Sequence, residues 1–141
     1  MQRARTRRLF ALVGVAYVAR CLVIGFWPSP VDAPIDDSLG RVLVYLHSIG
    51  NLDFVDYSFV ERAANVLLFL PLGALAAARL SRRHWWIAVL ACIALSGCIE
   101  LGQGLLLPER YRSWSDILTN SIGATLGVGI TMLLRRVLLR Q

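Results

Sequence analysis

At 141 residues the chain is one domain's worth of material, and a hydrophobic content of 57% with a mean hydropathy of +0.60 is too apolar for an ordinary soluble domain. Its formal charge of +6 comes from 15 basic residues, all arginine, against nine acids. Those arginines stand at the ends of apolar segments and form no single patch, which argues for membrane topology and against nucleic-acid binding.

Four apolar stretches follow one another at about 9–27, 63–80, 85–107 and 117–134. Each is long enough, at ~1.5 Å per helical residue, to cross ~30 Å of hydrocarbon. The sequence therefore predicts a single all-α domain over 1–141, an integral membrane bundle of four transmembrane helices. The first stretch has the Arg-rich start of a signal peptide, but Arg20 within it and Pro34 after Val31-Asp32-Ala33 argue against cleavage. It reads as an anchor. Between 28 and 62, Asp32, Asp36, Asp37, Asp53, Asp56 and Glu61 face only Arg41 and Arg62. Within that connection Asp36 and Asp37 precede an apolar stripe of Leu39, Val42, Leu43, Leu46 and Ile49. A short interfacial helix in this first outer loop would suit the stripe, with an ordinary ordered loop as the alternative.

The second stretch carries Pro71 and Gly73, where a bend is expected. Arg79, Arg82 and Arg83 separate it from the third, and Arg135, Arg136 and Arg140 follow the fourth. Neither of these segments has an acid, nor does the segment before the first span, which holds Arg3, Arg5, Arg7 and Arg8. Positive charge gathers on the cytoplasmic side, so both termini are expected inside and both longer connections outside. Trp27, Trp85, Trp86 and Trp114 lie at span ends and read as interfacial anchors.

That orientation brings polar residues of three helices to the outer side. Glu61 and Asn65 open the second span. Glu100 and Gln103 share a face of the third, with Glu100 on the order of 10 Å below the outer surface. Asp116 and Asn120 share a face of the fourth, Asn120 roughly 6 Å deeper than Asp116. Arg110 and Arg112 stand in the loop above. An ionisable group in the membrane costs several kcal/mol unless paired or hydrated, so a cluster of them is a candidate functional site. Small residues at Gly73 and Ala77, at Gly97 and Gly104, and at Gly123 and Gly127 would let the helices approach. The structural alternatives are an ion pair of Glu100 with Arg20 or Arg110, an interhelical hydrogen bond at Asn120, and an N-cap at Ser115-Asp116.

Enzymatic signatures are scarce. His47 and His84 fall on opposite predicted sides, which excludes a paired-histidine metal site, and no cofactor is expected. Cys21, Cys92 and Cys98 show no metal-ligand spacing and give no disulfide framework. No H-E-x-x-H, G-x-S-x-G or Walker A pattern occurs. Acid–base chemistry would have to rest on Glu100 and Asp116.

Taken together, Asn65-x-x-x-Phe69-x-Pro71-x-Gly73, Glu100-x-x-Gln103, then Arg110, Asp116, Asn120 and Gly123-Ala124-x-x-Gly127 resemble the VanZ-like family over about residues 60–130. Ser115 departs from the acid that many members carry before the Asp, and Arg112 duplicates the loop arginine. The resemblance implies a small multi-spanning protein of the bacterial cytoplasmic membrane, in a family named for a member linked to teicoplanin resistance. It carries no agreed mechanism. The function expected is binding or handling of a polar lipid headgroup, a lipid-linked wall precursor or a lipoglycopeptide, more binding protein than enzyme. Arg110 and Arg112 would meet an anionic group, Asn65, Gln103 and Asn120 would orient it, and Glu100 and Asp116 would hold the arginines or a ligand cation. The alternative is an intramembrane hydrolase or transferase using Glu100 and Asp116.

Overall fold

The computed structural model describes residues 2–26, 40–41, 43–45, 48, 55–107 and 113–138. Four helices carry the fold: α1 (Gln2–Gly25), α2 (Tyr57–Arg79), α3 (Trp85–Leu106) and α4 (Trp114–Leu138). A 3₁₀ turn at Arg82–His84 joins α2 to α3. No strand occurs among the described residues. Gly40, Arg41, Leu43, Val44, Tyr45 and Ser48 are helical, in the segment that the sequence reads as either a short helix or an ordinary ordered loop.

Three helical segments, Tyr57–Arg79, Arg82–Leu106 and Trp114–Leu138, are long and apolar enough to cross a bilayer. The first expected span is shorter. Its described apolar part, Ala11–Gly25, reaches about 22 Å, because the opening turns of α1 are spent on Arg3, Arg5, Arg7 and Arg8, and Trp27 lies outside the described residues. Two helices also start earlier than their apolar stretches. At α2 the Asp56 carboxylate accepts the Phe59 N–H at 2.7 Å, an N-cap that opens the helix ahead of residue 63. At α4, Ser113 takes the corresponding role, with its Oγ accepting the Asp116 N–H at 3.3 Å.

The closest packing is between α2 and α4, and it is made by backbone. Gly73 lies against the Ala124 backbone, Gly123 against Val66 and Gly127 against Leu70, leaving no room for a Cβ at any of the three. Glycines on both helices thus bring the axes together, as lipid-embedded helices require when no hydrophobic force separates helix from solvent. The register runs in one direction: Val66 with Gly123, Leu70 with Gly127, and Ala74 with Thr131, whose Oγ1 donates to the Ala74 carbonyl at 3.3 Å. The two helices are therefore parallel. At their shared end Arg135 donates to the carbonyls of Leu80 at 2.8 Å and Ala78 at 2.6 Å, satisfying carbonyls that the last turn of α2 leaves without a helical partner.

The third helix runs antiparallel to α4, with Ser96 level with Asn120 and Glu100 level with Ser113. Helix α1 lies on α2 and α3, its Tyr17 hydroxyl donating to the Leu68 carbonyl at 2.9 Å. Phe69, Leu72, Cys92, Ile99 and Ala124 form the core between them. Cys21, Cys92 and Cys98 are all free thiols. Outward faces such as Leu118, Ile122, Leu126 and Ile130 of α4 stay exposed, the pattern of a bundle whose surface meets lipid.

Candidate functional site

One stripe of α3 organises the polar interior. Ser96, Glu100 and Gln103 recur at i, i+4 and i+7, and all three are buried. Each reaches a different element. Gln103 Nε2 donates to the Gly25 carbonyl at 2.7 Å, a group that the last turn of α1 cannot satisfy itself. The Glu100 carboxylate accepts the Ser113 N–H at 3.0 Å, just ahead of α4. Ser96 Oγ accepts from Asn120 Nδ2 at 2.9 Å, deep in the α3–α4 seam.

Asn120 is 6% exposed, and its other polar atom, Oδ1, is buried with no hydrogen-bond partner. An unsatisfied amide oxygen in an apolar interior costs about 1–3 kcal/mol, so an acceptor left open here calls for a reason. Thr119, beside it, satisfies its hydroxyl locally on the carbonyls of Ser115 and Asp116.

The two candidate acids meet at Ser113. Its N–H goes to Glu100, while its Oγ donates to Asp116 Oδ1 at 3.1 Å. Ser115 Oγ also donates to Asp116 Oδ1, at 3.3 Å. The expected N-cap at Ser115-Asp116 is thereby corrected: Ser113 caps the helix and Asp116 sits in its first turn, where a carboxylate favours the helix dipole. Asp116 is half-buried, Glu100 5% exposed.

Of the residues expected at the site, the structure brings Glu100, Gln103, Asp116 and Asn120 to one end of the bundle. Arg110 and Arg112 lie outside the described residues. Asn65 is half-buried on α2, one position before the Val66–Gly123 contact, and its side chain hydrogen-bonds to no other described residue. Glu61, one turn earlier, is exposed. Two further expectations need correction. Arg20 is exposed on α1 and makes no ion pair with Glu100, since its long side chain reaches outward from the bundle. Gly97 has open space where its Cβ would be, so it mediates no close approach beside Glu100.

Ser96 and Ser113 are the residues that reading the sequence missed. Each had a signal. Ser96 stands one turn before Glu100 on the same face, and Ser113-x-x-Asp116 has the spacing of a capping box. Chemically, the cluster offers a carboxylate held by a backbone amide, a second carboxylate nearer the surface, and an open amide acceptor between two helices.

No curated protein and no solved structure gives a significant match to the chain. A family model does: VanZ/LLP1 matches residues 12–135, which include every described member of this cluster. With three helices of membrane-crossing length and composition and a match over most of its residues, the chain belongs to the VanZ/LLP1 family of membrane proteins.

Proposed function

We propose that this protein spans the bacterial cytoplasmic membrane with both termini inside and binds a polar lipid headgroup at the Glu100–Asn120 end of its bundle, facing outward. One observation carries the reading. The Asn120 Oδ1 is an unpaired acceptor, buried beside hydrogen-bonded Ser96 and roughly one turn below the acids. A headgroup hydroxyl or amine would supply the missing donor. The arginines beyond α2 and α4 support the orientation, because positive charge is retained on the cytoplasmic side. On this orientation the connection between α3 and α4, whose sequence holds Arg110 and Arg112, would face outward, and guanidinium groups suit a phosphate or another anionic group of a lipid-linked wall precursor. The first apolar segment crosses as a fourth, shorter span. Through this binding the protein would alter susceptibility to lipoglycopeptides such as teicoplanin, which the family resemblance implies.

Lipid retained by the purified full-length protein, identified by mass spectrometry, tests this directly. Wild type should hold a distinct headgroup class that Asn120→Leu, Glu100→Gln and Arg110→Ala lose by tenfold or more, with teicoplanin tolerance falling in parallel. An unchanged lipid profile and unchanged tolerance in all three well-folded variants would overturn the reading. Turnover of the retained lipid, abolished in Glu100→Gln or Asp116→Asn, would reassign the site to an intramembrane hydrolase or transferase.

A further inference from the structure

At the opposite end of the bundle α3 and α4 part to leave a cleft of about 520 Å³. Exposed Arg82, Trp85 and Arg136 line it together with buried Val128, half-buried Met132 and exposed Gly129. Three observations set this cleft apart from a plain gap between helices. First, neither the Arg82 nor the Arg136 guanidinium has a hydrogen-bond or ion-pair partner among the described residues, whereas that of neighbouring Arg135 is engaged on the end of α2. Second, the start of α3 brings no acid: its first turn has none, and no side chain caps it. Third, a Cβ on Gly129 would meet nothing within 4 Å, so the cleft is open beside it where a thin apolar chain could lie.

Two unpaired guanidinium groups and an indole lining an apolar trough match one kind of molecule in both charge and shape. We propose that this cleft is a binding site for an anionic phospholipid, its phosphate held between Arg82 and Arg136 and one acyl chain laid over Gly129 and Val128. Guanidinium binds phosphate through paired N–H donors, and basic pockets between membrane helices recognise anionic headgroups in this way. Trp85, 47% exposed, would sit at headgroup level with its ring toward the chains. The site lies at the other end of α3 and α4 from Glu100 and Asn120 and does not depend on the function proposed above.

The test titrates full-length protein in neutral detergent with phosphatidylglycerol or phosphatidylcholine and counts bound lipid by native mass spectrometry. Phosphatidylglycerol should bind saturably and at least tenfold more tightly than phosphatidylcholine. Each of Arg82→Gln and Arg136→Gln should weaken it about fivefold, and the pair about 25-fold. Gly129→Leu, which fills the trough and leaves both arginines, should weaken both lipids. Arg83→Gln removes the same charge from an exposed position outside the cleft and should change binding by less than twofold. Equal affinity for the two lipids, or an equal loss in Arg83→Gln, would show only a diffuse positive field and overturn the site. Full displacement by millimolar inorganic phosphate would make it a free-anion site. A dimer that excludes lipid would make it an interface between copies. Either result also rejects the lipid assignment.

Discussion

The two seams of α4 are built by opposite means. Toward α2, glycines let backbone meet backbone, and no side chain stands between Val66 and Gly123 or between Leu70 and Gly127. Toward α3, the contact at the same depth is a polar pair, Asn120 on Ser96, with Glu100 reaching Ser113 one level above. Inside a membrane neither seam draws on the hydrophobic effect, since lipid tails are as apolar as leucine. Dispersion over a close fit holds the first, whereas hydrogen bonds that water cannot replace hold the second. The difference bears on function. A backbone-to-backbone seam has no space for a ligand and suits a fixed scaffold, whereas a polar seam with one acceptor left open can exchange partners.

This contrast can be broken most severely at Gly127. Gly127→Leu drives a side chain into the Leu70 backbone, which cannot yield as a flexible side chain would, so α2 and α4 must separate. A loss of more than about 3 kcal/mol, read as failure to recover monodisperse protein or as collapse of thermal stability, is expected. Glu100→Ala comes next. It removes the charged acceptor of the part-buried Ser113 N–H and should lower stability by about 1–3 kcal/mol in a reversible unfolding assay. A smaller effect belongs to the Asn120–Ser96 pair. A double-mutant cycle with Asn120→Ala and Ser96→Ala should return a coupling of about 0.6 kcal/mol and no more than about 1.7. A coupling above that range would make the polar seam the main fastening and reverse the comparison. Gly97→Ala should do least: its Cβ enters open space, and helix propensity alone should add about 0.5–1 kcal/mol of stability. Loss of stability there would mean that Gly97 does the work assigned to Gly73, Gly123 and Gly127.

These glycines also show how far sequence reading extends. Gly123-x-x-x-Gly127 and Gly97 look alike in the chain, each a small residue near a polar one. They differ in what stands opposite, and that depends on the azimuth of each helix about its axis. The polar residues divide the same way. Glu100, Gln103, Asp116 and Asn120 were readable because charged and amide groups are conspicuous in apolar helices. Ser96 and Ser113 were not, because a serine is common in membrane helices and loops and acquires meaning only from the carboxylate or amide it meets. Asn65 shares the family pattern yet stays outside the hydrogen-bonded cluster.

Segment lengths, apolar content and the placement of arginines were enough to predict an all-helical chain of membrane-crossing segments, since those properties follow from counting residues against the thickness of hydrocarbon. Pairing was not accessible that way. That α2 runs parallel to α4 in a glycine-sealed register, that Gln103 serves the end of α1, and that Arg135 is engaged while Arg136 is not, all depend on helix rotation and neighbours. A one-dimensional pattern reports which groups must find partners. Which partner each one finds is set by packing in three dimensions.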